Sequence, residues 1–240
     1  CPDDEPGAGG MRNRGCTHRL DYVRNVLKEG LAEERRLGMN PYHLGFIAST
    51  DTHNGTAGLV DSTDYPGNVG TVDDTPEERR EGGNEAHDTL INNPGGLAGV
   101  WAVENSRDAI FEAMIRGETF ATSGPRIQVR FFGGWNYPAG LCGDAGLVQK
   151  AYASGVPMGG TLPGATSAAP TFVLSALKDA PGADLQRAQI IKGWVDAAGA
   201  AHEQVFDVAV DANNGATVDT ATCATSGSGA ASLCTVWTDP

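Results

Sequence analysis

An apolar run at residues 44–49 constrains the fold of this chain more than any other segment. It follows a candidate helix at residues 17–38, which Thr17 is expected to cap and Gly38 to end. The apolar positions of that helix recur at helical spacing: Leu20, Val23, Leu27 and Leu31. Because the run at 44–49 does not alternate with polar residues, it predicts a strand buried on both faces, as in a parallel sheet. Helix and strand together predict an α–β unit of barrel type.

The apolar run ends at Asp51 and His53, an acid and a histidine two residues apart. Alternate side chains of an extended segment point to the same side, so both groups can contact one metal ion at the strand end. A carboxylate oxygen beside an imidazole nitrogen suits Zn, Mn or Fe, and we therefore predict a divalent transition metal there. The spacing also allows a strand-end turn, in which Asp51 accepts hydrogen bonds from backbone amides of the following loop.

Two further residues are candidate substrate contacts. Asn54 directly follows the Asp51–His53 turn, and Arg126 follows Ser-Gly-Pro and offers a positive charge to a phosphate. The alternative for Arg126 is an arginine that begins a strand and keeps its charge in solvent. Residues 54–99 are polar and rich in Gly, Asp and Asn, which predicts either a lid over the metal site or a solvated surface excursion.

Several sequence blocks in fixed order carry a resemblance to known proteins: residues 46–56, 100–111, 117–126, 155–160 and 185–196. They resemble an uncharacterised bacterial family filed as a domain of unknown function. That family in turn resembles the PHP (polymerase and histidinol phosphatase) superfamily of metal-dependent phosphoesterases. The resemblance implies a distorted (β/α) barrel whose strands end in a cluster of metal ions, with Asp51 and His53 matching the superfamily's last Asp-x-His pair.

The resemblance also implies that part of the active site is missing. The superfamily's His-x-His pair and its further His and Glu ligands have no counterpart in this sequence. We therefore expect the chain to be the C-terminal part of a longer protein, inactive alone, whose partner is the missing N-terminal part of the same protein.

The predicted fold class is α+β. Residues 1–132 are expected to be the C-terminal part of an incomplete PHP-type barrel with the long loop 54–99, and residues 133–240 a mainly antiparallel β region. Ser106 is expected to cap a helix at 107–116 that Gly117 ends. The inner side of that helix is predicted to carry Ile110, Phe111, Met114 and Ile115. Strands are predicted at 100–103, 119–122, 126–132, 171–177, 189–195, 204–210 and 235–237, with a hairpin turn at 197–202.

The charge balance restricts the partners. The net charge is −13, from 30 acidic against 17 basic residues, which disfavours nucleic acid and anionic membranes because neither would find a basic surface. No apolar stretch approaches the roughly 20 residues that span a bilayer. We expect a small-molecule ester substrate, no nucleic acid and no membrane.

Five cysteines bear on the compartment. Cys223 and Cys234 flank a short Gly/Ser/Ala-rich loop and are predicted to form one disulfide, and Cys1 and Cys16 a second, which leaves Cys142 alone. Two disulfides predict a periplasmic or secreted protein, whereas five reduced cysteines would fit a cytoplasmic enzyme.

Two classes of function remain open from the sequence. The first is a metal-dependent hydrolase of phosphoesters or related esters, in which a metal-bound water attacks the ester. The second is a noncatalytic extracellular module that binds a partner through its β-rich region.

Overall fold

A computed structural model describes residues 18–49, 52–53, 55–61, 65, 67, 75, 77, 96–164, 168–210, 216–219, 221–222 and 224–240. The fold of these residues is α+β, as predicted. The α-helices are α1 (Val23–Leu37), α2 (Arg107–Ile115) and α3 (Leu147–Ser154). The strands are β1 (Ala98–Val100), β2 (Thr119–Ala121), β3 (Gln128–Gly134), β4 (Gly155–Pro157), β5 (Thr171–Leu177), β6 (Arg187–Val195), β7 (Ala201–Val210), β8 (Thr217–Val218), β9 (Thr225–Ser226) and β10 (Ser232–Thr238).

The largest sheet is antiparallel, with four strands in the order β10-β5-β3-β4. Val173 at the centre of β5 lies opposite Val236 on β10 and Phe132 on β3. Phe132 and Val173 are almost fully buried and pack with Tyr137, Leu141 and Ala151 on one side of the sheet. The antiparallel sheet predicted for the C-terminal region is confirmed.

The strands β6 and β7 form a separate antiparallel ribbon. Its turn contains Gly199 with φ 91°, a left-handed conformation that favours glycine, and the predicted hairpin turn is confirmed. Helix α1 packs on this ribbon through its charged side, because Arg24 and Lys28 both bind the Glu203 carboxylate, at 2.9 and 3.0 Å. The predicted helix is confirmed, and its apolar side is largely exposed, with Val23 at 52% and Leu27 at 38%.

The ends of α1 follow local chemistry. Gly38 adopts φ 76° and ends the helix, as predicted. At the other end a short 3-10 turn, Arg19–Asp21, precedes the helix, and the His18 ring accepts a hydrogen bond from the Leu20 amide. Thr17, the predicted cap, lies outside the described residues.

The strand predicted at residues 44–49 is wrong. This segment belongs to none of the sheets among the described residues, and Leu44 and Ile47 are about half exposed, at 54% and 50%. It is instead held from one side, where the Thr119 hydroxyl donates to the Phe46 carbonyl and the His43 ring lies 3.1 Å from the Thr161 hydroxyl. An apolar composition favours a strand, but only neighbouring backbone can complete the ladder.

Residues 44–49 pass close to two other segments of the chain at three glycines, Gly45, Gly117 and Gly159. A Cβ on Gly45 would lie 3.0 Å from the Gly117 Cα atom, and a Cβ on Gly117 would lie 3.1 Å from the Gly159 Cα atom. Any side chain would therefore push the segments apart. The chain ahead of Asp51 is thus fixed against the turn that follows α2.

Helix α2 is confirmed, but its predicted inner side is not. The Ser106 hydroxyl accepts from the Ala109 amide at 3.3 Å, as expected for a cap. Phe111 and Ile115 are 58% and 69% exposed, whereas Ala113 is fully buried. Ala113 therefore marks the side of α2 that faces the protein. In place of the strand predicted at 100–103, the structure has β1 at Ala98–Val100. Helix α3 was not predicted from the sequence.

The disulfide partner predicted for Cys234 is wrong. Cys234 on β10 is bonded to Cys142, in the 3-10 turn Ala139–Gly143, with their Cα atoms 5.8 Å apart. The two residues are 92 positions apart in sequence, so spacing could not reveal the pair. Cys1, Cys16 and Cys223 lie outside the described residues.

The sheets do not close into a barrel within the described ranges. The predicted boundary between residues 132 and 133 falls inside β3, which pairs with β5 along its whole length. Within the same ranges, no helix is both long and apolar enough to cross a membrane.

Candidate functional site

A cleft of about 390 Å³ is lined in part by Thr52, the residue before the predicted metal ligand His53. We call it the loop cleft, and it is lined by Ser49, Thr52, Gly55, Thr56, Ala57, Gly58, Val60, Gly96 and Leu97. Leu97 of this lining is bound to Thr122, the residue after β2: the Leu97 amide donates to the Thr122 hydroxyl, and the Thr122 amide donates to the Leu97 carbonyl, each at 2.9 Å. Three hydroxyl side chains and three glycines line this cleft beside apolar Ala57, Val60 and Leu97, so its lining is mixed in polarity.

The predicted site residues fall in different places. Thr52 lines the loop cleft and the next residue, His53, is exposed. Asp51 and Asn54 lie outside the described residues. The Arg126 guanidinium lies 3.9 Å from the carboxylate of Asp61, next to Val60 of the loop cleft. Arg126 is thus near this cleft, with its side chain 47% exposed.

The described residues do not assemble a metal centre on their own. In the parts of the chain with assigned positions, no three His, Cys, Asp or Glu side chains lie close enough to share an ion. Of the two predicted ligands, His53 is within these parts and Asp51 is not. The long segment predicted as a lid is described only at residues 55–61, 65, 67, 75, 77 and 96–99, so the lid stays a prediction.

A second cleft, of about 680 Å³, lies between β1, the end of α2, β3 and α3. We call it the arginine cleft, because Arg116 and Arg130 both line it. Its only described acid, Glu118, is 3% exposed. One Glu118 oxygen accepts from Arg116 Nη2 at 2.9 Å and from Nε at 3.1 Å. The other accepts from the Tyr152 hydroxyl.

The second arginine joins the same hydrogen-bonded chain. Arg130 Nη1 donates to the Tyr152 hydroxyl at 3.1 Å, so both guanidiniums are linked to the one buried carboxylate. The Arg130 guanidinium also lies 3.5 Å from the centre of the Trp101 ring. Trp101 is held in turn, because its Nε1 donates to the Val129 carbonyl at 2.8 Å.

The Tyr152 hydroxyl keeps its proton in this arrangement. Burial raises the pKa of Tyr152, and the hydrogen bond and negative charge of Glu118 raise it further. A protonated phenol can donate to Glu118 while it accepts from Arg130. The two guanidiniums are therefore held in place by groups that they contact directly, with one carboxylate charge against two positive charges.

Sequence reasoning did not find the arginine cleft. Its polar residues are separated by 51 positions, from Trp101 to Tyr152, and no two of them form a known motif. One local signal was present, since Arg116 and Glu118 flank the glycine that ends α2. Gly117 has φ 69°, which turns the chain so that both side chains meet.

A comparison with protein-family models gives one match, over residues 7–240, to DUF3604, described as a protein of unknown function. The chain belongs to the DUF3604 family. No curated protein and no solved structure matches it. The match confirms the expected membership of an uncharacterised family along nearly the whole DUF3604 chain. The family description names no activity, so the relation to the PHP superfamily stays a proposal.

Proposed function

We propose that this chain carries part of the active site of a metal-dependent hydrolase of phosphoesters or related esters, related to the PHP superfamily. Asp51 and His53 would hold a divalent transition metal, Zn, Mn or Fe. The observation that supports this most is that Thr52, the middle residue of the Asp-x-His motif, lines the loop cleft. When bound, such an ion acidifies a water and polarises the ester.

The residues of the chain would do the remaining work. The hydroxyls of Ser49, Thr52 and Thr56 can donate to ester oxygens in the loop cleft. Arg126 near Asp61 would offset part of the substrate's negative charge, and Asn54 would contact the substrate from the turn. Hydroxyl-rich lining and one nearby arginine suit a small ester better than a polymer.

We propose that the remaining metal ligands come from the N-terminal part of the same protein. Large apolar side chains are exposed on α1 and on the segment that follows it, including Val23, Leu27, Leu44 and Ile47. Exposed apolar side chains become buried where another part of a protein packs on them. A packed N-terminal part would bury these side chains and bring its ligands to Asp51 and His53.

Metal analysis of the intact protein tests this function. The wild type is expected to retain a transition metal after dialysis, and an Asp51→Ala/His53→Ala double variant to lose it. A matched control is Asp196→Ala/His202→Ala, which also removes one aspartate and one histidine, from an exposed pair joined at 2.7 Å. Equal metal content in the two double variants would contradict the proposal.

Activity follows as a second measurement. The wild-type protein is assayed against phosphate, sulfate and carboxylic esters with Mn, Zn or Fe added, and the same Asp51/His53 variant should be inactive. A protein that folds, binds no transition metal and hydrolyses none of these esters would instead favour a noncatalytic β-rich binding module. The Cys142–Cys234 disulfide supports a periplasmic or secreted location over a cytoplasmic one.

A further inference from the structure

The arginine cleft has the composition of an anion site, and neither the family description nor the proposed hydrolase function uses it. The Arg116 guanidinium contacts the buried Glu118 carboxylate directly and the Arg130 guanidinium is linked to it through the Tyr152 hydroxyl, in a chain whose net charge is −13. In a protein with this excess of acidic residues, two arginines in one cleft favour the binding of an anion there. We propose that the arginine cleft binds a small molecule that carries a carboxylate or phosphate group and an apolar body.

The first argument is donor count. A guanidinium has five N–H donors. Among the described residues, Arg116 directs two of its nitrogens at Glu118, and Arg130 directs one at Tyr152. Both side chains therefore keep donors facing the cleft. A planar or tetrahedral oxyanion accepts from such donors in pairs, which a single lysine cannot offer in fixed geometry.

The second argument is that the donors are held rigidly. Arg116 is fixed by two hydrogen bonds to one buried oxygen, and Arg130 lies between the Trp101 ring and the Tyr152 hydroxyl. Tyr152 packs edge-on against Phe132, at 5.0 Å between ring centres, and Phe132 is 1% exposed. Less conformational entropy is then lost when a ligand binds.

The third argument concerns the rest of the cleft. At about 680 Å³ it has the size of a small-molecule site rather than of a single ion. Its wall includes Ala102, Val103 and Val148 as well as the Trp101 ring. Val103 is 89% exposed, so an apolar ligand group that contacts it would remove apolar surface from water. These contacts favour an amphipathic anion over free phosphate.

The test is calorimetric titration of the protein in chelator, so that a bound metal does not contribute. The probes are phenyl phosphate, benzoate and inorganic phosphate. We expect saturable binding of phenyl phosphate or benzoate and weaker binding of inorganic phosphate. Arg130→Met should weaken binding by roughly tenfold or more, the usual range for a lost charged hydrogen bond.

Two more variants separate binding from folding. Arg116→Lys keeps the charge beside Glu118 but loses the paired donors, and should also weaken binding. Arg187→Met is the matched control, because Arg187 is 48% exposed against 46% for Arg116, and it lies on the β6–β7 ribbon. It should bind as the wild type does.

Two results would overturn the inference: no saturable binding of either organic anion, or binding that Arg130→Met and Arg116→Lys leave as strong as in Arg187→Met. The titration does not depend on Asp51 or His53. The Asp51→Ala/His53→Ala variant should bind the anion normally even if it has lost its metal, so the two proposals can fail separately.

Discussion

The Arg116 guanidinium contacts the Glu118 carboxylate from two nitrogens, at 2.9 and 3.1 Å, across the single glycine that ends α2. Glu118 is 3% exposed and Arg116 is about half exposed. The acid is thus removed from water while its partner still faces the cleft. Burial of a carboxylate is tolerated only when its oxygens are paired, and here Arg116 and Tyr152 together pair both.

The first prediction concerns this pair. Arg116→Met should lower the free energy of unfolding by about 1–3 kcal/mol, because it leaves a buried charge without its cationic partner. Arg116→Met/Glu118→Gln should recover part of that loss, since the glutamine is neutral and still accepts from Tyr152. Urea unfolding of the wild type and both variants measures the difference. Equal stability of the single and double variants would show that the unpaired charge of Glu118 does not cause the loss of stability.

The second prediction concerns the disulfide. Loss of the Cys142–Cys234 bond, which closes a segment of 92 residues, should lower the free energy of unfolding. The chain-entropy model for a loop of this length gives about 4–5 kcal/mol. A Cys142→Ser/Cys234→Ser variant, compared with the oxidised wild type in urea, measures the loss. Peptide mapping without reductant should recover the Cys142 and Cys234 peptides together, whereas a Cys223–Cys234 peptide would contradict the structure.

The third prediction is a pH dependence at Tyr137. Burial raises the pKa of Tyr137 from 10.0 to about 12 in the folded protein. The folded state therefore holds a proton that the unfolded state releases, so this contribution to stability is complete below pH 10 and is lost as the pH rises to about 12.

Urea unfolding between pH 8 and 11.5, in roughly half-unit steps, measures this loss. Tyr137→Phe is the comparison, because it removes the ionisable hydroxyl and the 2.7 Å hydrogen bond to the Ala151 carbonyl. We expect that variant to be less stable at pH 8 but to lose less stability above pH 10. Parallel curves for the two proteins would assign the alkaline loss to other groups.

Local signals in the sequence determined most of the elements. Ser106 and Gly117 bound α2 as predicted, and the apolar run at 171–177 forms β5 as predicted, because caps and short apolar runs are local signals. Gly38 and Gly199 likewise adopt positive φ where the chain turns.

Only the tertiary structure decided which faces are buried and which residues meet. Helix α1 presents its charged side to the β6–β7 ribbon through Glu203, residues 44–49 find no strand partner among the described residues, and Cys234 pairs with Cys142 rather than Cys223. No sequence motif indicated the arginine cleft either. Burial, pairing and clefts depend on contacts between distant segments, and a periodic pattern states only that a face is apolar, not what will cover it.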